Sequence, residues 1–480
     1  MEQGSLKNNY IFNLVYQILT IITPIITTPY ISRVLSAGGI GKYSYALSIV
    51  TYFGLFGNLG ITTYAQLEIA KRRGNSLELK QIIKEIVVAR FITMSISIIV
   101  YWLVVLQNSE NKLLYIILLL YILGQMNDMS FIFQGLENFK TLTMRNIIVK
   151  LVSIFLIFMC IHKYEDVYLY AAVIQGTYFL GNFSLWPQIW NYIRPEKMHE
   201  FHLIKHWKGS TLYFIPTIAT TVYTVLDKTM IGWLTHSEFQ NGYYEQAHKI
   251  EQLLVTIVTA IGTVTLPRMI YLYKKRDKSK MRHVVEITVK LILFMSIPMV
   301  FGLVAVADVL VPCFLGKGYD LCIPLIRIFS LLIIIIGLDN IIGRQCLMST
   351  GKQKLFNIGV ISGAILNFCM NIILIPNLGS IGAAVSSVCA ELLILVLFII
   401  FSKEYMHIDG LGSVTLKYIV ISVLMAAVVW MLGQKLGASL ITLFIQIIIG
   451  VLIYIGMLFI LHDDFFTYVL SGVIKRNMDD

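Results

Sequence analysis

The sequence predicts an all-α polytopic membrane protein: about 14 transmembrane helices, forming two six-helix lobes related by a parallel repeat, with two further helices at the C-terminal end. Three observations lead there. Apolar segments of roughly twenty residues, the length a helix needs to cross the hydrocarbon core of a bilayer, follow one another along nearly the whole chain. Hydrophobic residues make up 57% and charged residues 14% of the 480 positions, the latter well under the ~25% of a soluble domain, and mean hydropathy is +0.76. No stretch between the segments is long and polar enough to fold as a soluble domain.

In chain order the expected spans are 10–34, 40–65, 82–106, 112–134, 144–162, 166–190, 209–234, 243–267, 284–306, 321–348, 355–375, 379–402, 414–433 and 438–461. The N-terminal segment has no short apolar region followed by small residues of a cleavage site, so its first helix is expected to stay on the protein. Basic residues concentrate in alternate loops. Lys71, Arg72 and Arg73, then Lys140 and Arg145, then Lys274, Lys275 and Arg276, then Lys352 and Lys354 lie on one side. The other side has little beyond Lys42, Lys112, Lys163, Lys317 and Lys435. The positive-inside bias places both termini in the cytoplasm, and an even number of spans requires the termini to share a side. It also accounts for the net charge of +11 without any nucleic acid. The six cysteines form no CxxC pair and read as small buried hydrophobes.

An internal echo divides the chain. Leu35-Ser36-Ala37-Gly38-Gly39-Ile40-Gly41-Lys42-Tyr43 follows the first span, and Leu234-Thr235-His236, then Gly242-Tyr243-Tyr244, follows the seventh. Tyr170-Ala171-Ala172-Val173 pairs in the same way with Gly382-Ala383-Ala384-Val385. Six helices per half put both halves the same way up, related by an axis along the membrane normal. The expected organisation is a first lobe over 1–190, a cytoplasmic amphipathic linker over 191–208, a second lobe over 209–402, and a two-helix segment with a cytoplasmic tail over 403–480. His199, His202 and His206 share one face of the linker. A zinc pair would use this spacing, but no carboxylate or Cys nearby completes a ligand set, so an interfacial linker is the simpler reading and no metal is expected. Pro24, Pro29, Pro216, Pro298 and Pro324 are positions where helices bend; Gly359-x3-Gly363 is a face for close helix packing.

Function is sought among ionisable residues inside the spans, each costing about 2.5–3.5 kcal/mol at the bilayer centre on insertion scales. Arg33, Asp227, Lys228, Glu245, Lys249, Glu251 and Arg327 lie toward one side; Arg90, Asp128, Lys150, Lys290, Asp339 and Arg344 lie toward the other, with Glu391 near the middle of its span. Arg33, Lys290 and Arg344 are near enough to helix ends to snorkel, and Glu245 and Lys249 have the i, i+4 spacing of a neutralising pair. Asp227 and Lys228 are adjacent and point in different directions. Arg327 and Glu391 lie too deep to snorkel. Arginine grips phosphate oxygens as a fork, so an anionic headgroup fits this set better than a purely cationic substrate. Arg33, Lys228, Lys249, Arg327 and Arg90 are the candidates for headgroup or diphosphate binding. Asp128, Asp227, Glu251, Asp339 and Glu391 are the candidates for ion coupling or charge pairing.

Several segments carry a resemblance. Ser32-Arg33-Val34-Leu35-Ser36-Ala37-Gly38-Gly39, Phe133-Gln134-Gly135-Leu136-Glu137-Asn138, Leu226-Asp227-Lys228-Thr229-Met230-Ile231-Gly232, Leu266-Pro267-Arg268 and Gly382-Ala383-Ala384 occur in an order and spacing that resembles the bacterial polysaccharide-biosynthesis flippases. These belong to the multidrug/oligosaccharidyl-lipid/polysaccharide exporter superfamily. The resemblance implies fourteen helices in two lobes, alternating access, and a lipid-linked oligosaccharide on undecaprenyl diphosphate flipped across the bacterial cytoplasmic membrane for capsule, O-antigen or exopolysaccharide synthesis. The partners it implies are that substrate, membrane lipids, and a polymerase and glycosyltransferases of the same pathway, with no nucleic acid. No cofactor is expected; coupling to a proton or sodium ion stays open.

Two other classes are weighed. A membrane polymerase or glycosyltransferase needs a sizeable external loop for its chemistry, and the longest such loop, near 307–320, is too short. A drug or cation antiporter of the same superfamily is the alternative function. P-loop motifs are absent, so ATP hydrolysis by this chain is not expected.

Overall fold

The computed structural model describes residues 6–73, 76–107, 109–193, 202–406 and 411–468. Among these residues the secondary structure is helical throughout, with no strand. The chain divides into two compact units, residues 1–245 and 246–480. The first contains α1 (Leu6–Asn58), α2 (Ile61–Lys71), α3 (Ser76–Tyr101), α4 (Lys112–Asn127), α5 (Ser130–Gly135), α6 (Phe139–Cys160), α7 (Val167–Phe183), α8 (Trp186–Ile193) and α9 (Leu203–Thr235). The boundary falls within α10 (Glu238–Lys274). The second unit continues with α11 (Lys278–Phe314), α12 (Cys322–Asp339), α13 (Gln353–Leu378), α14 (Ser380–Ser402), α15 (Leu411–Leu436) and α16 (Leu440–Ile460).

In the first unit α1 is two helices joined at a kink, where Ser36 takes φ 54° and ψ 175°. An L-residue rarely adopts this backbone, and it lies in the small-residue turn where the sequence separates the first two spans. Pro24 and Pro29 stay inside the helix before the kink. Leu35 and Val50 of α1 pack with Leu118 and Ile122 of α4, Tyr101 of α3 and Ala171 of α7. A second apolar cluster joins Ile61 and Ile69 of α2 to Ile83 and Ile86 of α3 and Phe131 of α5. α9 packs on α1, α2 and α3. The sequence reading places residues 203–208 of α9 in the linker and the rest in the second lobe.

In the second unit α11 packs on α12, α15 and α16, and α14 packs on α12 and α13. The α13–α14 contact depends on Gly359 and Gly363. A Cβ on the first would lie 2.5 Å from the Phe398 ring, and one on the second 2.5 Å from Ile394, so this face does serve close packing. Pro298 is inside α11, whereas Pro324 falls in the first turn of α12, where the missing N–H has no helical partner to lose. α12 runs on through a π-helical stretch, Asn340–Met348.

All fourteen expected spans fall on helical segments. Ten segments of the described residues are long and apolar enough to cross a membrane, the first of them 54 residues, enough for two crossings. The other expected spans lie on α7, α9 and α10. α7 is 17 residues long, and α9 and α10 carry much of the polar chemistry described below. Large apolar side chains are exposed on the outside, including Phe155, Leu180, Ile441 and Phe459. A surface of this kind is costly in water and expected against lipid. The chain is a multi-pass membrane protein.

Candidate functional site

Charged and hydroxyl side chains inside the spans gather into several networks. The largest joins α1, α9 and α10 within the first unit. Beyond the Ser36 kink, Gly41, Ser44, Ser48 and Tyr52 recur at helical spacing and so share one face of α1. Lys228 Nζ lies 2.6 Å from Glu245 Oε2, which also accepts a hydrogen bond from Ser44 Oγ at 2.9 Å. Next to it, the Tyr244 hydroxyl donates to Asp227 Oδ2 at 2.5 Å. Asp227 and Lys228 therefore have separate partners on α10, as two adjacent helical residues must. One turn along, Thr229 Oγ1 donates to Ser48 Oγ at 2.9 Å and lies 3.1 Å from the Tyr52 hydroxyl. Asp227 is 4% exposed. A carboxylate this deeply buried needs such partners, because burial without them costs several kcal/mol.

Elsewhere in the first unit, Arg90 is 1% exposed. Its guanidinium donates to Thr62 Oγ1 at 3.1 Å and to the Gln125 carbonyl at 2.5 Å, and lies over the Phe131 ring. These bonds hold α2, α3 and α4 together. Asp128 follows α4 and accepts from the Ser130 backbone N–H at 2.9 Å. Arg33 is exposed and donates to the Pro29 carbonyl one turn earlier. Of the linker histidines, His199 lies outside the described residues. His206 is buried, bridging Glu85 Oε2 at 2.6 Å and the Tyr64 hydroxyl at 3.1 Å; His202 lies 4.0 Å from the other Glu85 oxygen. The sequence reading missed Glu85 as their partner because it precedes them by more than a hundred residues.

In the second unit, Arg327 of α12 makes a two-pronged contact with Asp308 of α11, Nη2 being 2.9 Å from each carboxylate oxygen. Glu251 is 1% exposed, with His248 Nδ1 at 2.9 Å. Asp339 is buried, and its electrostatic neighbour is Glu391 of α14. Lys249 is half-buried on α10. The structure thus brings together Asp227 with Tyr244, Lys228 with Glu245, and Asp339 with Glu391. It gives Arg90, Arg33 and Arg327 separate surroundings. Asp308, Ser44, Ser48 and Tyr244 were not singled out from sequence. The i, i+4 spacing of Ser44 and Ser48 inside an apolar span was the available signal; Asp308 had none.

A family model described as polysaccharide biosynthesis protein matches residues 6–273. The chain belongs to that family. A putative O-antigen transporter of Shigella dysenteriae is 24% identical over 383 residues, covering 78% of this chain and 94% of the relative. A putative O-antigen transporter of Escherichia coli is 23% identical over 408 residues, covering 83% and 97%. Among solved structures, the lipid II flippase MurJ in an inward closed conformation matches with TM-score 0.73 at 17% identity, over 98% of this chain and 99% of that one. An inward-facing multidrug resistance MATE transporter matches with TM-score 0.60 at 12% identity, over 79% and 94%. At these identities the structures speak for the fold alone. The resemblance read from the sequence motifs is borne out at the level of the polysaccharide-biosynthesis family.

Proposed function

We propose that this flippase moves undecaprenyl-diphosphate-linked oligosaccharide repeat units from the inner to the outer leaflet of the bacterial cytoplasmic membrane, by alternating access, for capsule, O-antigen or exopolysaccharide synthesis. The observation that carries the reading is the end-to-end match with the two O-antigen transporters, which covers nearly the whole length of each. The charged networks support it. A diphosphate cannot cross hydrocarbon bare, and Arg33, Lys228, Lys249, Arg327 and Arg90 are cations within the spans. Lys228 and Arg327 rest on Glu245 and Asp308, so an arriving diphosphate exchanges one anionic partner for another. A lone cation has no such resting partner.

Both termini lie in the cytoplasm on this reading, as the loop charges require. Outward movement of an anion from a negative interior is downhill by about 2.3 kcal/mol per charge per 100 mV, so the membrane potential favours export. Asp128, Asp227, Glu251 and the Asp339–Glu391 pair are the carboxyl groups through which a returning proton or sodium ion would couple. The test is depletion of the protein in its native cell. Lipid-linked repeat units should accumulate with their sugars facing the cytoplasm while surface polysaccharide falls. Loss of drug resistance with normal surface polysaccharide would instead assign the chain to drug or cation antiport.

A further inference from the structure

A groove of about 670 Å³ runs between α6 and α7 on the first unit, and none of its lining residues belongs to the networks described above. Its floor forms where Gly181 lets α7 approach α6; a Cβ there would lie 2.4 Å from Val149. Its walls are apolar, with Met144, Ile148 and Leu180 exposed. At one end stand Lys140 and Arg145, and no carboxylate lines it. Arg145 is held in place by Asn182, whose Oδ1 accepts from Nη1 at 2.6 Å, while Asn182 itself donates to the Gly124 carbonyl. Glu137, the nearest acid in sequence, lies 2.8 Å from Arg73 instead. The same end carries α8; Leu185 just before it and Ile189 within it pack inward while Trp190 is 52% exposed. A short amphipathic helix with an exposed Trp marks the headgroup level of a bilayer.

We propose that this groove is a binding site for an anionic phospholipid of the leaflet at that end, with its phosphate between Lys140 and Arg145 and an acyl chain along Ile148, Val152 and Leu180. Two cations at headgroup depth above an apolar trough match one phosphate and its chain, and a zwitterionic lipid gains less from them because its own cation opposes theirs. The proposal rests on the chain's spanning a membrane and is independent of what it transports.

The test uses the purified full-length protein, mildly delipidated, with phosphatidylglycerol and phosphatidylcholine of identical acyl chains as probes and native mass spectrometry as readout. Phosphatidylglycerol should be retained preferentially. Lys140→Ala and Arg145→Gln should each weaken retention about fivefold, the equivalent of about 1 kcal/mol per basic residue at a membrane surface. Val152→Trp, which fills the trough without touching either charge, should remove retention while an unchanged melting temperature reports an intact fold. Equal retention of the two lipids, unaltered by either charge substitution, overturns the proposal. Displacement of phosphatidylglycerol by equimolar undecaprenyl phosphate also overturns it, by giving the groove to the transported lipid.

Discussion

Gly41 and Gly242 meet backbone to backbone. A Cβ on Gly41 would lie 1.7 Å from the Glu238 carbonyl oxygen and 2.6 Å from the Gly242 nitrogen, and one on Gly242 would lie 1.9 Å from the Ala37 carbonyl oxygen. Gly41 lies inside α1 and Gly242 inside α10, in the two segments that echo one another in the sequence. The contact presses α1 onto α10 and sets the depth at which Ser44 reaches Glu245.

Gly41→Ala and Gly242→Ala should each be destabilising, because neither neighbour is a side chain that can swing away. Overpacking a tight contact costs about 1–3 kcal/mol, and backbone against backbone belongs at the upper end. Thermal melting in detergent measures it. Gly176, with nothing within 4 Å of its would-be Cβ, is the control, and Gly176→Ala should not lower the melting temperature, alanine being the better helix former by about 1 kcal/mol.

Lys228→Ala leaves Glu245, whose side chain is 14% exposed, with its cation gone. Removing one partner of a buried pair costs about 3–5 kcal/mol, and some remaining solvent access puts this pair at the low end. Lys228→Glu should be worse, and the exchange Lys228→Glu with Glu245→Lys should recover most of the stability. If the exchange recovers folding but not surface polysaccharide, the position of the cation matters for transport; recovery of both would show that only the pair does.

The Arg327–Asp308 pair is different, since its side chains are 40% and 33% exposed. A pair this open adds only about 0–1 kcal/mol, so Arg327→Ala should shift the melting temperature little. Its effect should appear in transport, measured as polymer display in a cell lacking the native protein. Arg327→Lys keeps the charge but loses the fork and should fall between wild type and Ala.

Asp277 caps α11 in the loop after α10. Its carboxylate accepts the Lys280 backbone N–H at 3.1 Å and lies 3.2 Å from the Lys280 ammonium. The backbone bond first, and then the lysine, hold the carboxyl below the usual carboxylate range. A folded-state pKa lowered in this way contributes stability that is present above the unfolded value, about 3.9, and is lost as pH falls through the folded one. Asp277→Asn keeps a capping oxygen at every pH. The melting-temperature difference between wild type and Asp277→Asn should therefore be constant from pH 5 to 8 (about the range above both pKa values) and should move in favour of Asn at lower pH.

Hydropathy located the spans because lipid demands a long apolar helix, and that demand is local in sequence. Helix ends were less legible. α9, α10 and α11 run to 33, 37 and 37 residues, and charged turns beyond the apolar stretch carry no hydropathy signal of continuing helix. The break in α1 falls at Ser36, inside the small-residue turn between the first two expected spans, and this helix end was legible. The in-span charges could be found one by one from their cost. Their partners could not, since Ser44 and Glu245, or Glu85 and His206, are brought together only by packing of distant helices. Asp227 and Lys228 are the exception: their adjacency alone required two directions, and Tyr244 and Glu245 supply them.

Lipid-linked oligosaccharide transport is measurable with the purified protein in liposomes that carry undecaprenyl-diphosphate-linked oligosaccharide on both leaflets, by following access of an external sugar-cleaving enzyme to it. After the outer pool is consumed, the inner pool should become accessible with the protein present, faster with an inside-negative potential, and not with the Lys228→Ala, Arg327→Ala double variant. An inner pool that stays protected in the presence of correctly folded protein would contradict such transport.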